Sequence, residues 1–471
     1  MKKFPFAAVV LLIALAAGAA RAAAPIRIST GFIAHELCSG AFVSGLDPDQ
    51  VYRETLDAMS GASLIRWGVK VQVDRPHRQV TATLFGLGRS RAVYHDGEGC
   101  QLVFDDAAPP TVAAPSPIVP ATDAGSATIE PPDPRLRAAL DQAFAERDGA
   151  PFRHTHAVVI MKDGRVIGER YAPGYNADTA IHGYSATKSV TSALIGILVR
   201  QGKLAVDAPA QVVDAWRNPD DPHHAITVDQ LLRHTAGLDM GSSLNASLAS
   251  AFARVNQMKF AEPDMAAYAA NSDLESAPGT SWNYHDGNFV LLSRLIRDAA
   301  GGDAGAVLEF AQRELFEPLG MHNVTLELDP TGTPDGSSQM LAPARDWARF
   351  GQLYLDDGVV AGRRILPEGW VHYSSAPTPG AWPGLGAGFW TNLGDSMGAR
   401  VRVSQGMPPD AFMARGAFGQ YVIIIPSERL VIARFGTTGG PRDDQEGVSR
   451  LVAQVIAATG TTSSIRAQAS R

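Results

Sequence analysis

The sequence predicts an α+β protein: an antiparallel sheet flanked by helices, with a helical subdomain and a small N-terminal α+β module. Three observations carry this. Strand pairs joined by tight-turn residues stand near both ends of the main part of the chain, and a long helix-rich stretch from about 190 to 370 separates them. A composition break over residues 105–134 sets the first hundred residues apart. Hairpins at both ends with helices between fit one antiparallel sheet covered by helices better than alternating βα units.

The 471 residues suffice for two domains, and 45% hydrophobic with 19% charged residues is an ordinary globular composition. A net charge of -7 and the lack of any Lys/Arg run argue against nucleic acid or an anionic membrane as a partner.

Residues 1–22 read as a secretory signal peptide. Lys2 and Lys3 precede an apolar run too short for a spanning helix, and Ala20-Arg21-Ala22 is a small-residue processing site. A periplasmic or secreted protein with no stable membrane insertion after processing is expected. Its two cysteines, Cys38 and Cys100, are then expected to pair as a structural disulfide.

Residues 23–104 read as the small module. Asp47 is a helix N-cap with Pro48 at the first helical position. VKVQVD (Val69 to Asp74) and QVTATLF (Gln79 to Phe85) alternate as two half-buried strands. No chemistry and no partner can be read from it. Residues 105–134, rich in Pro, Ala, Ser and Thr, form an extended linker.

From 135 to 460 the pattern is that of one catalytic-sized domain, and the polar residues 461–471 read as a disordered tail. PRLRAALDQAFAERDG is an amphipathic helix. AVVIMKDGRVIGERYAPG is a hairpin turning at Asp163-Gly164, and FGQYVIIIPSERLVIARFG is a second one around Pro426-Ser427-Glu428.

The chemistry concentrates in three stretches. In HGYSATKSVTSALIGILVRQGKL, Ser185 and Lys188 stand three residues apart where an apolar helix begins, so both side chains lie on one face. A serine hydroxyl needs a base, and a lysine serves if burial lowers its pKa. Ser185 near a helix N-terminus also gains N–H groups that favour an oxyanion. The bland reading is a capping serine and a lysine that snorkels to water. A Ser-His-Asp elbow fits less well, because Thr187 replaces its last glycine and the preceding ADTAIHGY reads as a loop.

In WNYHDGN, Tyr284 is a relay or base for the serine proton, or else a packed aromatic. In ARGAFGQYVIII, two glycines at a strand permit close backbone approach, or else mark a bulge. His154, His156, His223, His224 and His285 lack partners at metal-ligand spacing, so no metal or cofactor is expected.

Taken in order, Ser185-x-x-Lys188, Tyr284 and the glycine-rich strand near 416 resemble the penicilloyl-serine hydrolase superfamily. The likeness is to its class C β-lactamase-like branch, with esterases and 6-aminohexanoate-dimer hydrolases. LLRHTAGL (Leu231 to Leu238), ARDWARFGQLYL and GRRILPEGW support the match over roughly residues 135–460. The resemblance implies a β-lactamase-like fold, with Ser185 as acylated nucleophile, Lys188 as general base and Tyr284 as second proton-transfer group. It further implies an oxyanion hole from the backbone N–H groups of Ser185 and Ala417, beside Gly416. His234 falls in a structural element and reads as a core histidine.

Two departures stand out. The family's Y-x-N reads Tyr284-His285-Asp286, an acid where an amide is usual. If Asp286 reaches Lys188, the ion pair raises the lysine pKa, and Tyr284 must carry more of the proton transfer. The K-T-G triplet is replaced by Ala414-Arg415-Gly416, with no cation at the lysine position to hold a β-lactam carboxylate. The reading is therefore an exported serine hydrolase acting on a small ester or amide through an acyl-enzyme. Its rivals are a β-lactamase or D,D-peptidase on the same scaffold, and a catalytically silent binding or sensor protein.

Overall fold

The computed structural model describes residues 19–104, 127–244, 247–440 and 444–469. Helix α1 (Ala19–Cys38) opens the described chain and runs through the expected processing site at Ala22; residues 1–18 of the expected signal lie outside the described residues. Helix α2 (Pro48–Ala58) starts as its sequence dictates, with Asp47 Oδ1 accepting from the Asp49 N–H at 3.2 Å and Pro48 at the first turn. Such a cap contributes about 1 kcal/mol.

Four strands follow: β1 (Val69–Asp74), β2 (Gln79–Leu84), β3 (Leu87–His95) and β4 (Gly99–Val103). They form one antiparallel meander, twice the two strands read from alternation. β3 and β4 are less regular in sequence because β3 is an open, polar strand and β4 is almost wholly buried. Ile33, Ala34 and Leu37 of α1 pack on Val80, Ala82, Ala92 and Leu102 of this sheet. The disulfide Cys38–Cys100 ties the end of α1 to β4, with Cα atoms 6.0 Å apart.

Residues 105–126 of the expected linker lie outside the described residues. Its last part is docked, not free: Ile129 accepts from the Glu169 N–H at 3.0 Å and donates to the Glu169 carboxylate at 2.8 Å. Helix α3 (Pro134–Phe144), capped by Asp133, then leads into β5 (Thr155–Lys162) and β6 (Arg165–Tyr171). Asp163 and Gly164 both take positive φ at that turn, the geometry of a two-residue hairpin.

The main sheet is completed from the other end of the chain by β10 (Trp390–Thr391), β11 (Phe412–Gly416), β12 (Gln420–Ile425) and β13 (Leu430–Gly436). Its order is β10-β11-β12-β13-β5-β6, with every neighbouring pair antiparallel. Alternation sorts the two faces. Val158, Ile160, Ile423 and Ile432 face Leu136 and Leu140 of α3 and Val448, Leu451 and Val455 of the last helix, Gln445–Ala469. Val159, Met161, Val422 and Val431 face the larger core beneath the remaining helices. The antiparallel sheet flanked by helices is thus the observed architecture.

Residues 470 and 471 of the expected tail lie outside the described residues. Residues 461–469 continue the last helix past Gly460, since they contain no proline and end in good helix formers, Arg466-Ala467-Gln468-Ala469.

Helix α4 (Thr187–Arg200) is buried on every side from Thr187 to Leu198, which makes it the axis of the larger core. Its polar side chains are satisfied by surrounding backbone: Ser189 donates to the Gly388 carbonyl at 2.6 Å, Thr191 to Gly336 at 2.7 Å and Ser192 to Ala387 at 2.9 Å.

The disulfide closes a loop of 62 residues, for which the chain-entropy account gives roughly 4 kcal/mol. The Cys38→Ser/Cys100→Ser protein is expected to lose about 2–4 kcal/mol of stability in a denaturant titration. An unchanged midpoint would show that the cross-link adds nothing to the folded state.

Candidate active site

Ser185 sits in a single 3-10 turn, Tyr184–Ala186, that feeds α4. A two-residue strand, β7 (Ile181–His182), leads into it and pairs with β9 (Met340–Ala342), whose other neighbour is β8 (Thr325–Leu326). The segment read as a loop therefore ends in a short strand, anchored by the Gly183 N–H on the Met340 carbonyl at 2.9 Å. Tyr184, just before the serine, has φ 44°, a conformation that an L residue keeps only when its surroundings enforce it. Its hydroxyl donates to the Glu36 carboxylate of α1 at 2.6 Å, and its ring stacks on His182.

Lys188 is 2% exposed. Its ammonium donates to Ser185 Oγ at 3.1 Å, to Asp286 Oδ1 at 2.7 Å and to the Ser337 carbonyl at 2.9 Å. This is not a lysine that snorkels to water. Asp286 occupies the N-cap position of helix α6 (Gly287–Ala300), yet its side chain makes no cap bond. Its second oxygen instead accepts from Lys259 Nζ at 3.1 Å, on helix α5 (Arg254–Ala261). Two lysines therefore share one buried carboxylate.

Burial pulls the Lys188 pKa down, but Asp286, Tyr284 and Asp335 outweigh it and leave the ammonium above its ordinary value. Burial pushes Asp286 up, while Lys188 and Lys259 hold its carboxyl well below the usual range. Around neutral pH the pair is charged on both sides.

Tyr284 lies with its ring 5.0 Å from Lys188 Nζ, packed on His234 at 4.5 Å between ring centres. Burial keeps His234 neutral, helped by the nearby Lys188 charge, and burial takes His285 down to about 4. His234 is 1% exposed and bonded to Asn288, in keeping with a core histidine. His156 is buried against Glu54 at 2.7 Å, and His223 bonds Asp221. Among the described residues, no group of three His, Cys, Asp or Glu is placed to hold a metal ion, and no helix is long and apolar enough to cross a membrane.

β11 ends beside the serine. A Cβ on Gly416 would collide with the Gly183 carbonyl and stand 3.0 Å from the Ser185 nitrogen, so only glycine lets the strand approach this closely. Ala417 follows at once. Its carbonyl accepts from Gln420 Nε2 at 3.0 Å, and that amide also bonds the Gly436 carbonyl at 2.6 Å. The turn is thereby fixed, with Phe418 at φ 61°.

Ser185, Tyr284, Asp286, Gly416 and Ala417 all line one cavity of about 810 Å³, and Ser185 is half-buried at its wall. The sequence-predicted residues are brought together as a set. Reading the sequence missed Lys259, the Ser337 carbonyl and Glu36, each supplied from a remote element. It also placed no chemistry in residues 23–104, whereas α1 and α2 border this cavity. Arg415, one position after the absent K-T-G lysine, lines it too, with its guanidinium 4.7 Å from the Trp390 ring.

Comparison with known proteins decides the family. A family model described as Beta-lactamase matches residues 140–457. The chain belongs to the beta-lactamase family. It is a β-lactamase-fold serine hydrolase. It is 28% identical over 300 residues to Esterase EstB of Burkholderia gladioli, covering 59% of this chain and 71% of that one. It is 25% identical over 229 residues to the 6-aminohexanoate-dimer hydrolase of Paenarthrobacter ureafaciens, covering 46% and 56%. Two solved structures share the fold, each with a TM-score of 0.54. One is a putative 6-aminohexanoate-dimer hydrolase from Bacillus anthracis, 20% identical over 66% of this chain and 80% of that one. The other is a family VIII carboxylesterase, 16% identical over 70% and 99%.

Asp286→Asn removes the main charge that keeps Lys188 protonated and leaves Lys259 as a nearby like charge, with Asp335 3.9 Å from it. Both effects lower the Lys188 pKa. The alkaline-rising limb of the pH–rate profile is expected to move down by roughly one to three pH units. An unshifted limb in the folded variant would show that the acid is purely structural.

Proposed function

We propose that this beta-lactamase family member cleaves a small ester or amide through an acyl-enzyme on Ser185. The observation that carries the proposal is the 3.1 Å contact between Lys188 Nζ and a half-buried Ser185 Oγ that opens on the cavity. The backbone N–H groups of Ser185 and Ala417 supply the oxyanion site in this reading. Relatives named as an esterase and as a 6-aminohexanoate-dimer hydrolase support the substrate class.

In the proposed cycle Ser185 Oγ attacks the carbonyl carbon, its proton leaves for the base, and the carbonyl oxygen takes the negative charge. Collapse breaks the bond to the alkoxide or amine, which departs protonated. Water then repeats the sequence on the acyl-serine and returns the acid. Lys188, held protonated by Asp286, donates to Oγ and stabilises it as it loses its proton. Tyr284 carries the proton transfer until the pH is high enough for Lys188 to share it. Ala414 at the K-T-G lysine position weighs against a β-lactam or D,D-peptide substrate.

Ser185→Ala is expected to lower nitrophenyl ester hydrolysis by about a thousandfold or more. Mass spectrometry should find a fluorophosphonate adduct on Ser185 of the parent protein. Turnover by the variant within about tenfold of the parent sinks the assignment, and a stable ampicillin adduct on Ser185 transfers it to the penicillin-reactive rival.

Export is part of the proposal, supported by the N-terminal pattern and by a disulfide at home in an oxidising compartment. The protein recovered from the periplasm or medium is expected to begin near Ala23. An intact Met1 in intact-mass measurement of that material overturns it.

A further inference from the structure

The family match begins at residue 140, yet one wall of the cavity around Ser185 is built by residues before it. Ile33 of α1, Leu56 of α2, and Met59 and Ile65 beyond it all face this space, and the module adds no charged side chain to it. The charged lining groups come from elsewhere and are engaged. Lys259 is on Asp286, Arg402 is bonded to Asn392 and to the Pro383 and Thr391 carbonyls, and Arg415 stacks against the rings of Trp390 and Tyr421. Beyond residue 140 the cavity is continued by Trp382 and Met397, each more than half exposed.

The module is also fixed in place rather than tethered. Glu36 accepts from Tyr184 and faces His182 at 3.3 Å. Glu327 accepts from Ser39 and from the Cys100 N–H, each at 2.8 Å. The Phe32 ring meets Phe260 of α5 edge-on at 5.5 Å. Its apolar side chains therefore stand at a set position relative to the nucleophile.

We infer that the N-terminal module is the substrate-selecting wall of this enzyme, and that the substrate carries an extended apolar group, an aliphatic chain or an aromatic ring system, laid against it. The inference rests on the hydrolase reading of Ser185 and narrows its substrate class. An unbranched apolar chain gains by leaving water for such a wall, whereas a short or charged substituent gains nothing from it.

The test uses the full chain and two ester series. One holds the nitrophenyl leaving group and lengthens the acyl chain from acetate to decanoate. The other holds acetate and lengthens the alcohol. In one of them kcat/KM is expected to rise about two- to fourfold per added methylene until the wall is covered. In the Met59→Ser/Ile65→Ser protein that slope flattens, with the longest-to-shortest ratio falling about tenfold or more. Lys70→Ser, on the solvent-facing side of β1, keeps the parent slope. Flat dependences in both series, or a slope untouched in the folded double variant, overturn the wall. Fluorophosphonate labelling separates the two levels. A labelled Ser185 with flat series removes the wall alone. An unlabelled Ser185 with no ester turned over removes the hydrolase reading and the wall with it.

Discussion

The buried ammonium of Lys188 is the constraint around which the molecule is arranged. An ammonium 2% exposed is tolerable only if its protons and its charge are answered, because an uncompensated charge at such depth costs several kcal/mol. The answers come from three places far apart in sequence: Ser185 on its own helical turn, Asp286 at the head of α6, and the Ser337 carbonyl. Each of those elements is held against α4 in turn, so the geometry at the serine is over-determined. Lys259 gives Asp286 a second cation, and Asp335, 3.9 Å from Lys259, balances it.

The relation between the N-terminal segment and the catalytic sheet follows the same logic. Glu36 and Glu327, buried, and Glu54, half-buried, are carboxylates whose partners sit across the boundary between the two, on His182 and Tyr184, on Ser39 and Cys100, and on His156. Removing the segment would strand charged groups under the loop that carries Ser185. Burial raises the Glu327 carboxyl above its ordinary value, while His182 and Tyr184 bring Glu36 below its own against the effect of burial.

Much of this was legible in the sequence. The two hairpins, the cap at Asp47 and the cysteine pair are local or two-body signals. Ser185, Tyr284, Asp286 and Gly416 were named from motif spacing and line one cavity, with Lys188, also named, bonded to Ser185 and Asp286 just behind its wall. What stayed hidden depends on long-range placement. Lys259 lies in a short helix with no motif, and only its residue type was a hint, since seven of the chain's 41 Lys and Arg residues are lysine. Glu36 sits in an apolar helix where nothing local says that it will be buried against Tyr184. The strands β3 and β4 escaped because one runs through Gly88-Arg89-Ser90-Arg91 before its apolar residues and the other lacks alternation.

The sheet also fixes an order of events in biosynthesis. Its central contact pairs β5 with β13, placing Lys162 opposite Leu430, and Gly416 must arrive beside Ser185 before the serine turn has its neighbour. Contacts of such separation close late and slowly, since the intervening chain must be ordered first. A chain emerging from the ribosome therefore holds helix α4, apolar for most of its length, without its sheet until nearly all of the protein has been made. The same topology that makes the finished site rigid leaves the growing chain with unpaired strands and an uncovered apolar helix until its last strands appear.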